Sequence, residues 1–347
     1  MGSVKDLKVI KSPEKDSMGK GLFTFSDRYS IFDWGEMPQH IEGKGASLCL
    51  AGAYFFERMR EKNIPSHYRG VVKEGATATL SQLNGPSNVM EVDLVRVIKP
   101  GFSENRYDYS SYRGETSNFL IPVEVIYRNA LPEGSSLLSR LKEGKLKPSD
   151  IGFERIPEPG TVLDKPLVDV STKLESRDRY MDWKEAKEIS GLPDGMIDNI
   201  KSLILEADSL ISEEVSRLDL LNVDGKLEFA LDDTGKLIVV DVTGTPDECR
   251  FIYGSMDGVA VSKEIMRKYY RKTSWYKEVK KASSGGERDW KKAVESTPPE
   301  VPQELLETVS WAYKSFCNAL TKRKWFEVPD FKEVVKRLDY LRGKYRG

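Results

Sequence analysis

Three observations predict an α+β fold. Strand patterns dominate the residues up to Ile98, a β-hairpin of period two occupies residues 224–250, and amphipathic helical patterns fill much of the remainder. In the hairpin, Leu227, Phe229 and Leu231 alternate with Lys226, Glu228 and Ala230, the pattern of a strand with one buried face. Asp232-Asp233-Thr234-Gly235 supplies turn residues, and a β-branched second strand runs from Lys236 to Asp241. With those four residues as the loop, Leu231 pairs with Lys236, Phe229 faces Ile238 and Leu227 faces Val240, so one side is apolar. On the other side Lys226 lies opposite Asp241, with Glu228 on the diagonal. Diagonal neighbours are about 7–8 Å apart at the backbone, and two carboxylates at that spacing can share a divalent cation. A three-residue loop would instead turn Asp241 onto the apolar side. The same charges also read as an ordinary cross-strand ion pair worth under about 1 kcal/mol. Thr245-Pro246-Asp247 and Arg250 follow closely, and carboxylates beside an Arg suit Mg²⁺ and a phosphate-bearing ligand.

At 347 residues the chain is long enough for two or three domains. Its composition, 39% hydrophobic and 31% charged, is that of a soluble globular protein. Lys plus Arg number 54 and Asp plus Glu 55, so no global field favours nucleic acid or an anionic membrane. An anionic ligand must therefore be held by local groups. Cys49, Cys249 and Cys317 have neither metal-ligand spacing nor the numbers for a disulfide framework, which fits a reducing cytosol. The first residues lack a signal-peptide pattern, and the longest apolar run, residues 48–56, is too short to span a bilayer. The expectation is a soluble cytoplasmic protein without a nucleic-acid or membrane partner. His40 and His67 are the two histidines, which excludes a His-rich metal site and leaves the chemistry to carboxylates, Lys and Arg, with or without a metal. His67 is expected to anchor the end of the preceding helix.

Taken in order, residues 3–10 and 20–25 read as short strands around a polar turn. Gly2-Ser3-Val4-Lys5 brings a glycine and a cation to the start of the first strand, where a backbone can approach phosphates. Residues 26–33 mix polar and large apolar groups and read as a capped turn or as a ligand loop carrying Ser30 and Asp33. Gly43-Lys44-Gly45 precedes a helical segment from Ala46 to Glu61; such a helix start favours an anion, although no Walker A string is present. Residues 71–83 and 88–98 are further strands, and residues 100–118 are polar and rich in tyrosine. A buried strand over 119–129 ends in Arg128 and Asn129, and Gly134-Ser135-Ser136 opens a helix over 137–143. Arg128 beside Ser135 offers a phosphomonoester a guanidinium fork, a hydroxyl and helix-start N–H groups. Residues 157–170 read as a Pro-rich extended connector, and residues 171–178 as a solvated loop or a loop for a charged substrate. From Gly195 onward apolar residues recur at three and four in a core helix. Helices are also expected over 262–270, 302–320 and 331–341, with a flexible break at 283–286 and a solvated basic end.

Ser26-Asp27-Arg28 with Ser30 and Phe32-Asp33, Gly43-Lys44-Gly45, Ile64-Pro65 with His67, and Pro122-Val123-Glu124 with Arg128 stand in a specific order. Gly134-Ser135, Thr172-Lys173 with Glu175 and Asp178, Lys226 with Glu228-Phe229, and Asp241 with Thr245-Pro246-Asp247 and Arg250 continue it. Over most of residues 1–325 this order resembles the SAICAR synthetase (phosphoribosylaminoimidazole-succinocarboxamide synthase) family of purine biosynthesis.

The resemblance implies a two-domain fold with ATP in the cleft between. Residues 1–99 would form a small β-rich nucleotide-binding domain, 100–118 a hinge insertion, and 119–347 a larger α+β substrate and metal domain. It also implies ligation of the carboxylate of CAIR, a carboxylated aminoimidazole ribotide, to the amine of L-aspartate, giving SAICAR, ADP and phosphate. ATP and Mg²⁺ are the implied cofactors. A carboxylate resists amine attack until it is activated, here as an acyl phosphate, and such transfer needs positioning and charge neutralisation.

By the same resemblance Glu228 and Asp241 hold Mg²⁺, and Lys226 neutralises developing charge. Arg128, Ser135 and Arg250 seat the ribotide phosphate, and Lys173 and Asp178 lie near aspartate. Ser30, Asp33 and Asp247 make further substrate contacts, and Lys5 and Lys44 meet ATP. Val242 stands where the family usually has a second acid, and Ser3 where it has a cation. One residue is extra between Arg128 and Gly134-Ser135, and the tyrosines of 100–118 suggest a lid over the nucleotide. Two other readings stay open: a non-catalytic ribotide- or nucleotide-binding paralogue, and a related ATP-dependent ligase or kinase acting on another carboxylate. A small homo-oligomer is the expected assembly.

Overall fold

Short β-branched and aromatic runs punctuated by Gly and Pro build an antiparallel sheet from the first part of the chain. A computed structural model describes residues 4–32, 34–261, 263–284 and 290–345, so Ser3 and Asp33 lie outside the described residues. Strands β1 (Lys5–Lys11), β2 (Gly19–Phe25), β3 (Tyr68–Lys73), β4 (Ala76–Ala78) and β5 (Val89–Leu94) pair in the order β1-β2-β5-β3-β4. Helix α1 (Lys44–Glu61) packs on this sheet through Leu48, Phe56 and Met59. Its start is fixed by Asp27, whose carboxylate accepts the N–H groups of Gly43 at 3.0 Å and Gly45 at 2.9 Å. The capped-turn reading of residues 26–33 thus holds for Asp27.

A two-stranded ribbon, β6 (Gly101–Ser103) and β7 (Arg106–Asp108), leads into the second sheet. That sheet contains β8 (Phe119–Leu131), β9 (Thr161–Thr172), β10 (Leu220–Leu231), β11 (Leu237–Val240), β12 (Cys249–Tyr253) and β13 (Val259–Ala260). The order is β13-β12-β10-β8-β9, and β11 also pairs with β10. Residues 157–170, expected as a connector, therefore supply an edge strand; Pro166 is tolerated there because β9 has one strand neighbour. Helices α2 (Ser136–Lys142), α3 (Trp183–Ser190) and α4 (Met196–Ser216) lie between the strands in sequence. Helices α5 (Glu264–Tyr270), α6 (Ser274–Ser284), α7 (Gln303–Thr321) and α8 (Phe331–Lys344) close the chain. One apolar cluster runs from Phe56 and Met90 to Phe229 and Phe251, so both sheets share a core. Bridges Ser66–Val239 and Arg96–Phe119 join the sheets' ends. Among the described residues no helix is long and apolar enough to cross a membrane.

The hairpin register differs from the expected one. Leu231 pairs with Leu237, Phe229 with Val239 and Glu228 with Val240. Asp232 is the cause: its carboxylate accepts from Thr234 N at 2.9 Å, Thr234 Oγ1 at 2.7 Å and Lys236 N at 2.9 Å, closing a three-residue loop that ends in Gly235 at φ +79°. Alternation alone would then point Asp241 into the core beside Leu227. It does not, because Asp241 adopts φ +66°, ends the strand and swings its carboxylate to Lys5. Strand β10 gives its far edge to β12 at Leu220–Gly225 and to β11 at Glu228–Leu231. The segment 241–248 leaves the sheet between them.

The turn after Asp241 is crowded. Gly244 has φ +73°, and a Cβ there would lie 2.2 Å from the Phe55 ring. Gly75 has φ +81° but open space around it. Gly244→Ala is expected to lower the unfolding free energy by roughly 2–4 kcal/mol in urea titration, against about 1 kcal/mol for Gly75→Ala, which carries only backbone strain.

Candidate functional site

Strand pairing assembles the site on the face of the second sheet turned away from the Tyr127, Leu227 and Phe229 core. Asp224 pairs with Arg128 on one side and Arg250 on the other, so these three side chains form a row. Asp224 lies 3.6 Å from the Arg128 guanidinium and 3.7 Å from Arg250 Nε. Arg128 is 3% exposed and donates to Asp169 at 3.1 Å and to Ser136 Oγ at 3.1 Å. Burial disfavours its charge, but Asp169 and Asp224 outweigh that and raise its pKa. Arg140 also pairs with Asp169 and stacks 4.0 Å over the Tyr180 ring. Ser136 rather than Ser135 touches the guanidinium. Ser135 Oγ and Arg128 Nε are buried without a hydrogen-bond partner among the described residues, an arrangement that suits an oxyanion.

Further along β10, Lys226 and Glu228 face Glu124 of β8 and Lys173 from the loop after β9. Lys173 Nζ lies 2.6 Å from Glu228 and 2.9 Å from Glu124, and Lys226 Nζ lies 3.1 Å and 3.0 Å from the same two groups. Glu248 adds a contact to Lys226 at 3.5 Å. Burial and the neighbouring Asp241 push the Glu228 carboxyl up, despite both lysines. Asp241 is half-buried, which would raise its carboxyl, but Lys5, Lys226 and Lys173 hold it well below the usual carboxylate range. Two adjacent carboxylates with pKa values driven apart mark a site built for charge handling.

His67 fixes Asp241 from behind. Its ring nitrogens lie 2.9 Å from the Asp241 carbonyl and 3.2 Å from the Asp93 carbonyl, and its own N–H donates to Val239 O at 3.0 Å. It is a strap between the two sheets rather than a helix anchor, because the chain has already turned into the strand bridge at Ser66. Burial lowers its pKa. Beside Glu228 an apolar patch of Leu120, Ala230, Ile238 and Val240 meets Met18 and Val95 of the first sheet's side and Leu174.

Lys44 and Asp247 come together in an enclosed pair. Lys44 is 0% exposed; its ammonium lies 2.9 Å from Asp247 and 3.2 Å from the Arg28 carbonyl. Tyr313 donates to the other Asp247 oxygen at 2.6 Å. This enclosed pair ties α1 to α7 and to the turn before β12; the expected contacts of Lys44 with ATP and of Asp247 with substrate involve two groups that here face each other. Ser30 is half-buried after β2, and Asp178 is exposed on the 173–180 loop. Glu124, Asp169, Asp224, Tyr180 and Lys263 were not among the sequence-derived site residues. The pairing of Asp224 with two arginines emerges only from strand order.

A family model described as SAICAR synthetase matches residues 8–283. The chain belongs to the SAICAR synthetase family. A protein of Archaeoglobus fulgidus, provisionally named phosphoribosylaminoimidazole-succinocarboxamide synthase, is 51% identical over 338 residues, covering 97% of this chain and 98% of its own. Among solved structures, SAICAR synthase from Saccharomyces cerevisiae complexed with SAICAR aligns with TM-score 0.63 at 20% identity, over 94% of this chain and 95% of that one. A SAICAR synthetase in complex with ADP aligns with TM-score 0.54 at 19% identity, over 87% and 99%. The α+β architecture is that of these synthetases.

Within the family frame, Val242 packs into the core against Gly52 of α1, 3.1 Å from where a Cβ would stand. Position 242 therefore adds no further acid beside Glu228 and Asp241. Among the described residues no group of three or more His, Cys, Asp or Glu is arranged as a metal cage. Two hard oxygen donors suit a cation such as Mg²⁺, which retains waters and completes its shell with substrate phosphates.

Asp247 generates a pH prediction. Burial would raise its carboxyl, yet Lys44, Lys263 and the Tyr313 hydroxyl hold it at about 2 against an ordinary 3.8. A depressed acid contributes stability above its unfolded pKa and loses it as the pH falls from about 4 towards 2. Asp247→Asn should therefore lose about 2 kcal/mol or more at pH 7, with the deficit to wild type shrinking below pH 4 in pH-dependent urea melts.

Proposed function

We propose that this SAICAR synthetase couples the carboxylate of CAIR to the amine of L-aspartate at the expense of ATP, releasing ADP and phosphate. The observation that carries the reading is the shared sheet face, on which the arginine row and the lysine–carboxylate cluster are four residues apart along β10. That is about 13 Å of strand, room for a ribotide lying lengthwise. Its phosphate would occupy the Arg128, Arg250 and Ser135 end, using the unpartnered Ser135 Oγ and Arg128 Nε. Its carboxylate would then reach Lys226 and Glu228.

There a carboxylate oxygen of CAIR attacks the γ-phosphorus of ATP and ADP leaves. The amine of aspartate next adds to the acyl carbon, loses a proton and expels phosphate. Lys226, Lys173 and Lys5 hold the accumulating negative charge in a poorly solvated site, where such fixed charges act strongly. Glu228 and Asp241 are the groups that would hold Mg²⁺, whose bound charge would offset that of the triphosphate. The apolar patch at Leu120, Ile238 and Val240 suits the adenine ring. Lys173 and the tip carrying Asp178 are assigned to aspartate, and the resemblance adds Ser30 and Asp33 as further substrate contacts. Free, buried thiols at Cys49, Cys249 and Cys317 support a cytoplasmic setting.

ADP release is expected only with CAIR and L-aspartate both present. Tight CAIR binding without turnover would make the chain a binding paralogue, and turnover with a different acid would reassign its substrate. Asp241→Asn should lower kcat by at least about 10²-fold; because the depressed carboxyl pairs with Lys5, the variant should also lose stability, so its rate is read at a temperature where circular dichroism shows it fully folded. Wild-type rates in that variant would remove the assignment.

A further inference from the structure

Residues 100–118, expected as a lid, are committed elsewhere. Arg96 pairs with Glu115 at 2.5 Å, and the buried Tyr112 donates its hydroxyl to the Ile98 carbonyl at 2.6 Å, so the base of this excursion is rigidly held. From that base two more tyrosines reach the loop between β9 and α3. Tyr107 Oη accepts the Ser176 N–H at 2.8 Å, and Tyr109 donates to Glu175 at 3.2 Å. Glu175 also accepts from Arg179 at 3.0 Å, and Arg179 reaches Glu185 of α3 at 2.6 Å.

The two ends of this loop are fixed independently. Ser171 bridges Tyr180, Thr172 N donates to Arg179 O at 3.0 Å, and Met181 N donates to Val170 O at 3.2 Å. Lys173 at one end touches Glu124 and Glu228, and Tyr180 at the other lies 2.7 Å from Ser136 beside Arg128. The excursion holds the tip, residues 174–178, at Glu175 and Ser176, while Leu174 packs on the core and Arg177 donates to the Ser283 carbonyl at 3.2 Å; Ser176, Arg177 and Asp178 are exposed. An exposed polar tip left to itself samples many conformers, and ordering it on binding weakens affinity.

We infer that residues 101–113 form a brace in which Tyr107 and Tyr109 are positioning residues, holding the 174–178 tip so that the site is preorganised for its amine substrate, a small amino-dicarboxylate. The identity of that substrate rests on the proposed ligation; the brace itself does not. Tyrosine suits the task because two torsions order a long, stiff arm with a hydroxyl at its end.

The test is the Tyr107→Phe/Tyr109→Phe double variant of the full chain, which keeps both rings and removes both hydroxyls. Hydrogen exchange of the 174–178 amides in the ligand-free protein should accelerate about tenfold or more. The KM for L-aspartate should rise roughly five- to tenfold, with kcat and the KM values for ATP and CAIR within about twofold. Unchanged exchange at the tip overturns the brace, as does a loosened tip with an unchanged KM for the amine. A loosened tip with a raised KM for an amine other than aspartate upholds the brace and overturns the substrate assignment instead.

Discussion

One backbone angle decides where the Asp241 carboxylate goes, and much of the site depends on it. In a regular strand paired as β11 is, that carboxylate would enter the hydrocarbon beside Leu227 and Phe229, where an unpaired charge is prohibitive. A left-handed residue without a glycine costs on the order of 1 kcal/mol, so something must hold it. Three contacts do. His67 grips the carbonyl, Lys5 grips the carboxylate, and the next turn folds so closely on Phe55 that Gly244 has no room for a side chain. Two of these come from the first sheet's side of the molecule, so the site is completed by the packing of the two sheets rather than by either alone.

The charges around that turn are arranged with a purpose that pairwise accounting misses. At the Asp241 end three ammonium groups (Lys5, Lys173, Lys226) contact four carboxylates (Glu124, Glu228, Asp241, Glu248), and Lys263 acts on Glu248 from the side of Asp247. At the other end Arg128, Arg140 and Arg250 face Asp169 and Asp224, leaving a positive excess for an anion. Each end is nearly neutral, so no group bears the full cost of an isolated buried charge. Lys173 and Lys226 stay charged despite burial because the carboxylates raise their pKa values.

What could be read from the sequence follows the range of the forces involved. Helix α4 and strand β8 were legible because their periodicity is local. Arg128, Lys226, Glu228 and Asp241 could be singled out because the resemblance fixes their order, and strand pairing places Arg128, Lys226 and Glu228 on one sheet face. The register of the hairpin was not, since it turns on three hydrogen bonds from the Asp232 carboxylate that choose between two loop lengths. Nor was the enclosure of Lys44: a Gly-Lys-Gly before a helix looks the same whether the ammonium points to a phosphate or into a buried pair with Asp247 and Tyr313. Asp224 and Asp169 became site residues only when strand order set them beside Arg128. Pro166 suggested a connector because the sequence does not reveal that β9 lies at an edge.

Val242 shows how such a departure can be absorbed. An acid at this position would have to displace a side chain that is 5% exposed and wedged against Gly52 of α1. Helix α1 could not keep its present distance from the turn, because Gly52 is also flanked by Met90 and Thr245. Keeping an apolar residue here and retaining close helix packing are therefore one choice. Glu124 and Glu248 already gather on Lys226, so the cluster keeps carboxylates beside Glu228 and Asp241 without a further acid at 242. On that physical ground an apolar residue at 242 is compatible with the charged cluster next to it.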